Sequence, residues 1–576
     1  MRGLKILFVF LIYTQQGISQ LGISQNNNYW NLTGLGTTLL LEQTGLNRFN
    51  ITNQLIKSTE FGFLNAIDSN VYTLVDFQLA TLANQTFNLE LDRPLRKGMF
   101  KFDLSRVSNP GFSDNSFIRN NRIGLEFVYP ILPSLELNLG GEYSNRYLEL
   151  NGGLVDSSYT FPSQRENGVS LFQVNSANAN SEIQRIRLDA AIKWKVIEKE
   201  KLLLSASIFS SYSRKRFDYS DTYSDLDFYY KYSDIQNSSE LVDSLIRNTI
   251  SNTGLLSFNV FKSDTTSLDS ISKLLDLIAG FGTEQSYIVN NGDQWQYANA
   301  ALIGNSKLYL SSLTASLRGD YSFFGFKEGA MSIESEGKYT IDLDSLEKRK
   351  LSIGALVSYN RGLMPIQFFR YSSSLGEIRR TAQLVSDASQ LINIGIESPK
   401  FSVSVNAGLR QLGDYSIMDK HGVIDQVNVK AQTLSLDVEY KIKWFCISNE
   451  LTYQTMADDY RFSLPKVVNT GRIYFNTPLF NKALYIQPGI DLLYYSDYYV
   501  TGYHPSFDVY YVQNDKKYGS YLRSDVFLKA HIQTVEIELR LANWNYDLYG
   551  QETIVAPNYP GIERYFQGRV IWKFKN

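Results

Sequence analysis

The segment YFQGRVIWKFKN, Tyr565–Asn576, decides the fold. Phe566, Gly568, Val570, Trp572 and Phe574 recur at every second position. Gln567, Arg569, Lys573 and Lys575 take the alternate positions, with Ile571 the one apolar member of that set. A period of two is the signature of a strand whose side chains point to opposite faces in turn. One aromatic face and one cationic face suit two settings. In a soluble sandwich the aromatic face lies in a core; in a membrane barrel it meets lipid while the cations face a wet lumen.

The N-terminal stretch narrows the choice. MRGLKILFVFLIYTQQGISQ carries Arg2 and Lys5, then the apolar run Ile6–Tyr13, then Gly17 and Ser19. This pattern predicts a secretory signal peptide over 1–19, cut after Ser19. The apolar run is far shorter than the roughly 20 residues of a helical membrane anchor. No Cys follows the expected cut, which argues against a lipoprotein. The single cysteine, Cys446, cannot form an internal disulfide. No apolar stretch of roughly 18 residues follows the signal, so helical spans are not expected. With 56 basic and 58 acidic residues the charge is nearly balanced and makes no case for nucleic acid. Aromatics reach 14%, with 39 Tyr and 34 Phe, on a chain of ordinary 43% hydrophobicity. That combination suits a lipid-facing exterior ringed by aromatic girdles and a polar interior.

The same alternation recurs along the chain. Leu135, Leu137, Leu139, Gly141 and Tyr143 alternate with Glu136, Asn138, Gly140 and Glu142. Ile186, Leu188, Ala190, Ile192, Trp194 and Val196 alternate with Arg185, Arg187, Asp189, Lys193 and Lys195. Comparable runs are centred on Phe401–Arg410, Leu434–Lys443 and Val535–Leu541. Each is about ten residues, the length of a tilted strand crossing a bilayer, whereas globular strands peak near 5–6. Short charged or Pro-containing turns are predicted at Glu198–Lys201, Asp344–Lys350, Ser398–Lys400 and Thr477–Lys482, and long polar insertions at about 152–182 and 219–300. Outer-membrane barrels have this asymmetry of short periplasmic turns and long external loops. Within 219–300 the apolar periodicity of Ser239–Thr249 and Ser267–Ala279 predicts two short helices over, or folded into, the mouth.

These signals predict an all-β protein: a closed antiparallel transmembrane barrel of about 18 strands, range roughly 16–20, over 61–576, with 20–60 as a periplasmic lead-in. Closure follows because lipid cannot satisfy unpaired backbone groups, so the last strand is expected to pair with the first.

A resemblance becomes visible at both ends of this barrel. KFDLSRVSNPGFSDNSFIRNN, Lys101–Asn121, resembles an early-barrel stretch of the putative porin family of Bacteroidetes outer membranes, through Arg106, Ser108, Gly111 and Phe112. Upstream, Phe63, Asn65, Asp68, Tyr72, Thr73 and Leu74 look loosely like that family's first strands. Near the end Tyr511, Gln513, Asn514, Gly519, Tyr521, Asp525 and Phe527 resemble its C-terminal pattern, as does Asn558–Gly561 before the last strand. The resemblance implies an outer-membrane barrel of a Gram-negative bacterium acting as a diffusion channel.

No catalytic or metal-binding constellation competes. His421, His504 and His531 are widely spaced, without a partner at metal-ligand spacing. Asp221–Asp227 reads as a solvated loop and lacks calcium-loop spacing. Ser506 beside His504 is the one pairing a rim hydrolase could use, with no acid motif to support it. A TonB-dependent transporter would need a larger N-terminal plug than 20–60 supplies. The expectation is therefore a non-enzymatic porin-like channel, without cofactor, passing small polar solutes or ions. Its partners would be outer-membrane lipid and the barrel-insertion machinery; a homo-oligomer is compatible with the pattern. The lumen-facing candidates are Arg185, Arg187, Lys193, Asp437, Glu439, Glu536, Glu538 and Arg540. A plugged, non-conducting barrel serving as scaffold in a transport or secretion complex is the alternative.

Overall fold

The computed structural model describes residues 71–575 apart from short interruptions, the longest being 156–164, 223–239, 264–270 and 457–464. The expected signal peptide, the 20–60 segment and the barrel start at 61–70 lie outside the described residues.

Among the described residues the main sheet holds 23 hydrogen-bonded segments. Val467–Phe475 and Thr477–Leu479 are two parts of one stave, since both pair with Leu484–Tyr495. The barrel therefore has 22 staves, not about 18. Each is antiparallel to its chain neighbour, and the ring closes where Tyr72–Ala80 pairs with Tyr565–Lys575, in register from Tyr72↔Lys575 to Ala80↔Gln567. Asp76 and Arg569 span this seam with two 2.8 Å hydrogen bonds.

The undercount has an identifiable source. The segment 219–300 is not a helical loop: Glu240–Ser263, Ile271–Asn290 and Asp293–Tyr309 are barrel staves. The apolar spacing over 240–250 resembled a helix because both faces of the strand are apolar there. Leu241 and Leu245 point inward and are buried, while Val242 and Ile250 point outward at 56% and 48% exposure. Period-two contrast disappears when inside and outside are both greasy, and residues four apart on one face then mimic a helical stripe. Residues 239 and 267–270 of those two segments are outside the described set. Of the other long insertion, 152–182, the described part includes a small hairpin, Arg165–Glu166 with Val169–Ser170, and the first residues of the stave Asn180–Lys199.

The two ends of the barrel differ. At the end holding the seam termini, staves are joined by brief turns such as 96–97, 133–134, 200–201, 398–400 and 533–534. All four sequence-predicted turns lie at this end. At the opposite end five connections are long: 150–179, 223–239, 364–383, 496–520 and 543–564. The two-residue turn Asn291–Gly292 is a tight turn in that rim, with both residues at positive φ, 46° and 88°.

The described apolar core does not lie between two sheets. It sits inside the long-loop mouth, where Leu148, Ile183, Phe217, Leu241 and Ile288 from the wall pack with Phe369, Tyr371 and Leu375 of 364–383 and with Tyr503, Phe507 and Val509 of 496–520. Leu188, Ile192, Trp194, Leu434, Trp444 and Trp572 are exposed on the outer face instead. Large apolar side chains left outside all around a closed sheet are what a lipid solvent requires.

Candidate functional site

The candidate site is the interior wall and the long-loop mouth. Alternation puts every second residue of each stave on the wall, and the opposite residues on the outside. On Asn180–Lys199 the inward set includes Arg185, Arg187 and Lys193. Arg187 bonds Asp189 at 2.8–3.0 Å. Lys193 is only 6% exposed, stands opposite Glu136 in the register, and faces away from Trp194. On Ile424–Ile442, Asp437 accepts hydrogen bonds from Ser404 (3.1 Å) and Asn406 (2.9 Å), and Glu439 pairs with Lys441 at 2.7 Å.

Glu536, Glu538 and Arg540 come together in one network. Arg540, 1% exposed, bonds Glu538 and Asp491 at 2.7–2.8 Å and lies 3.5 Å from Asp525. Lys529 joins Glu538 at 3.0 Å and Glu536 at 3.5 Å. Arg472 adds a two-point pair to Asp491, and Arg523 a pair to Asp525. The guanidinium groups of Arg472 and Arg540 both stand about 5 Å from the Phe527 ring, at 5.2 and 5.1 Å. Pairing of each buried charge with hydrogen-bonded partners is what allows such groups to stay ionised away from water. Sequence reasoning named three members of this network as wall charges and missed Arg472, Asp491, Arg523 and Lys529. Asp491 was legible in principle, since Asp491 alternates with Ile490 and Leu492 in its stave.

A recess of about 810 Å³ lies along the wall formed by the first staves. Asp76, Asn88, Glu90, Asp103, Arg122 and Glu142 line it. Arg122 lies between Glu142 at 3.1 Å and Asp103 at 3.6 Å. Gly124 makes room for Asp103, whose carboxylate occupies the space a Cβ would take.

Coverage of the mouth is expected from 219–300, but the described segments that pack inside it are 364–383 and 496–520. The hairpin Arg370–Ser373 with Gly376–Arg379 forms its own two-stranded sheet and pairs with no stave. It docks against the tight turn at Asn291. Asn290 accepts from the Ser372 N–H at 2.6 Å, and Asn291 donates to the Ser372 carbonyl at 3.0 Å. Asp243, fully buried, accepts from Ser373 Oγ, Ser374 N–H and Ser374 Oγ at 2.6–2.9 Å. Arg370 forks onto Asp293 at 3.1–3.2 Å and stacks 4.4 Å from the Trp295 ring. From the opposite wall, 496–520 brings Phe507 to 5.7 Å from Tyr371, and His504 packs against Phe507 at 4.5 Å. Burial pushes the His504 imidazole down to about 3. The available signal was the density of apolar residues in 364–383, namely Ile366, Phe368, Phe369, Tyr371 and Leu375, which a purely solvated loop would not carry.

The sequence profile of the family described as Putative porin matches residues 141–575. The chain belongs to that family. Its motif-like residues near the C-terminus serve the mouth and the wall in this porin-family barrel. Gln513 holds its loop by donating to the carbonyls of Val500 and Lys516, and Asp525 joins the Arg540 network. No curated protein matches the chain in sequence. Solved structures share its fold. The ferripyoverdine receptor of the Pseudomonas aeruginosa outer membrane aligns with a TM-score of 0.57 at 12% identity, over 88% of this chain and 72% of that one. The FrpB iron transporter from Neisseria meningitidis gives 0.57 at 11%, over 89% and 82%. The copper transporter OprC gives 0.59 at 8%, over 88% and 80%. At these identities the likeness is one of fold. Family and fold together point to an outer-membrane transport barrel.

Proposed function

We propose that this porin-family barrel carries small polar solutes or ions across the outer membrane by diffusion along its charged interior wall. The observation that carries this reading is the row of charged side chains on the interior wall, with a recess of about 810 Å³ along the first staves. Barrel diameter grows with strand number: barrels of about 16–18 strands leave an aqueous channel, and those of about 22 have a wider lumen that transporters fill with a plug. Rings of charged side chains at such a wall set selectivity. The eight sequence candidates would act here as wall charges rather than as a binding site.

The apolar cluster inside the mouth favours a second reading, a plugged barrel that serves a partner. Iron and copper are what the aligned transporters are named for. Among the described residues no group of three or more His, Cys, Asp or Glu is arranged to hold a metal ion. Conductance of the refolded protein in a planar bilayer tests the primary reading. Stepwise conductance that scales with salt supports a water-filled path. Silence in the intact protein and in a variant lacking 364–383 would favour the plugged scaffold.

A further inference from the structure

We infer that the 364–383 hairpin is a displaceable gate, latched shut by Asp243 and Asp293. This rests on the transport reading and adds a closed resting state to it. Three observations carry the inference.

The hairpin is mechanically separate from the barrel. Its arms, Arg370–Ser373 and Gly376–Arg379, have four residues each and bond to each other, not to any stave. Moving it breaks none of the ring's ladder bonds, which lipid-exposed staves cannot lose. A two-stranded hairpin is at best marginally stable alone, so its position depends on what it docks against.

The hairpin's apolar side chains pack into the mouth cluster, but the carboxylates it docks against are concentrated at one place on the rim. Asp243 lies near the start of Glu240–Ser263, and Asp293 opens Asp293–Tyr309; the tight turn Asn291–Gly292 lies between the latter and Ile271–Asn290. The hairpin enters from Arg349–Leu363 and leaves into Leu384–Glu397. It therefore passes over the ends of the two intervening staves, Leu313–Gly325 and Met331–Asp344, before meeting its latch. The Asp243 carboxylate takes hydrogen bonds from both Ser373 and Ser374, and the Asp293 carboxylate takes the fork of Arg370 with Arg379 at 3.5 Å.

The two latch points differ in character. Asp243 is fully buried, whereas Asp293, Arg370 and Arg379 keep 27%, 36% and 56% of their side-chain surface in contact with solvent. Exposed pairs are weak and screened by salt, so the Asp293 side yields readily. Hydrogen bonds to a buried carboxylate are stronger, so Asp243 holds the closed position. Tyr371 and Leu375 then narrow the opening by packing into the mouth cluster beside Phe507.

The test uses the full chain refolded into planar bilayers. The protein carrying Asp243→Ala and Asp293→Ala together should conduct at least several-fold more of the time than the unmodified protein. The pair Asp243→Cys and Ser374→Cys, oxidised, should be silent and should recover on adding reductant. Asp243→Asn with Asp293→Asn serves as a milder latch variant should the alanine pair fail to refold. Folding of each variant is checked by its shift on heating before gel electrophoresis. Equal conductance of the unmodified, latch-free and oxidised cysteine proteins would overturn the gate while leaving diffusion intact. Silence in every variant, including one lacking 364–383, would overturn the diffusion reading and the gate with it.

Discussion

Arg540 is the residue on which the interior network converges. Its guanidinium meets Glu538, Asp491 and Asp525 with 1% of its side chain exposed. Removing one partner of a buried charge cluster strands the others, and such losses run to about 3–5 kcal/mol. Arg540→Ala should therefore lower the denaturant midpoint of the detergent-solubilised barrel by that order, and an unchanged midpoint would remove the network from the stabilising terms. His504 makes a pH prediction. Burial disfavours the imidazolium and holds its pKa at about 3, below the ordinary histidine value of 6.5. A base with a depressed folded value contributes stability that is complete above about pH 6.5 and is lost as pH falls toward about 3. The 496–520 segment should become more sensitive to protease through that window. His504→Phe should flatten the dependence, and identical profiles for the two proteins would exclude the imidazole as its source.

The staves respond to depth and face. Leu436 lies on the outer face, 39% exposed, well inside its stave, while Ile537 at 37% is the third residue of Val535–Ala542 and close to a turn. A lysine on the lipid face costs about 2–4 kcal/mol at the midplane and about 0–1 kcal/mol near an interface. Leu436→Lys should reduce insertion into vesicles more than Ile537→Lys. Asp437→Asn, on the opposite face where Ser404 and Asn406 supply partners, should insert like the unmodified chain. Equal yields for all three would contradict the assigned faces. At the same scale lies the reading error of 240–279. There the strand carries apolar residues inward because the mouth cluster needs Leu241 and Leu245. A two-faced apolar strand has lost the contrast by which a strand is recognised.

At the scale of the whole molecule, selectivity follows from the balance of wall charges once the mouth is open. The recess is lined by Asp76, Glu90, Asp92, Asp103, Glu126, Glu142 and Asp189 against Lys101, Arg122 and Arg187. The surplus of carboxylates predicts cation preference, read as the sign of the reversal potential across a salt gradient. Glu90→Gln with Glu126→Gln should move that potential toward zero, and an anion-selective or unchanged potential would assign selectivity to another section of the wall. The barrel itself was legible in the chain. Alternation over about ten residues, the aromatic excess and the last strand's Trp572 and Phe574 reflect requirements of single strands in lipid, and such requirements are local. The pairing of Tyr72–Ala80 with Tyr565–Lys575 was also foreseeable, because an open edge has no solvent in a bilayer. The stave number of 22, the union of Arg540 with Asp491 and Asp525, and the docking of Tyr371 against Phe507 were decided only by the tertiary structure. Each joins residues far apart in the chain, and nothing in the local pattern of one segment records which distant segment will lie beside it.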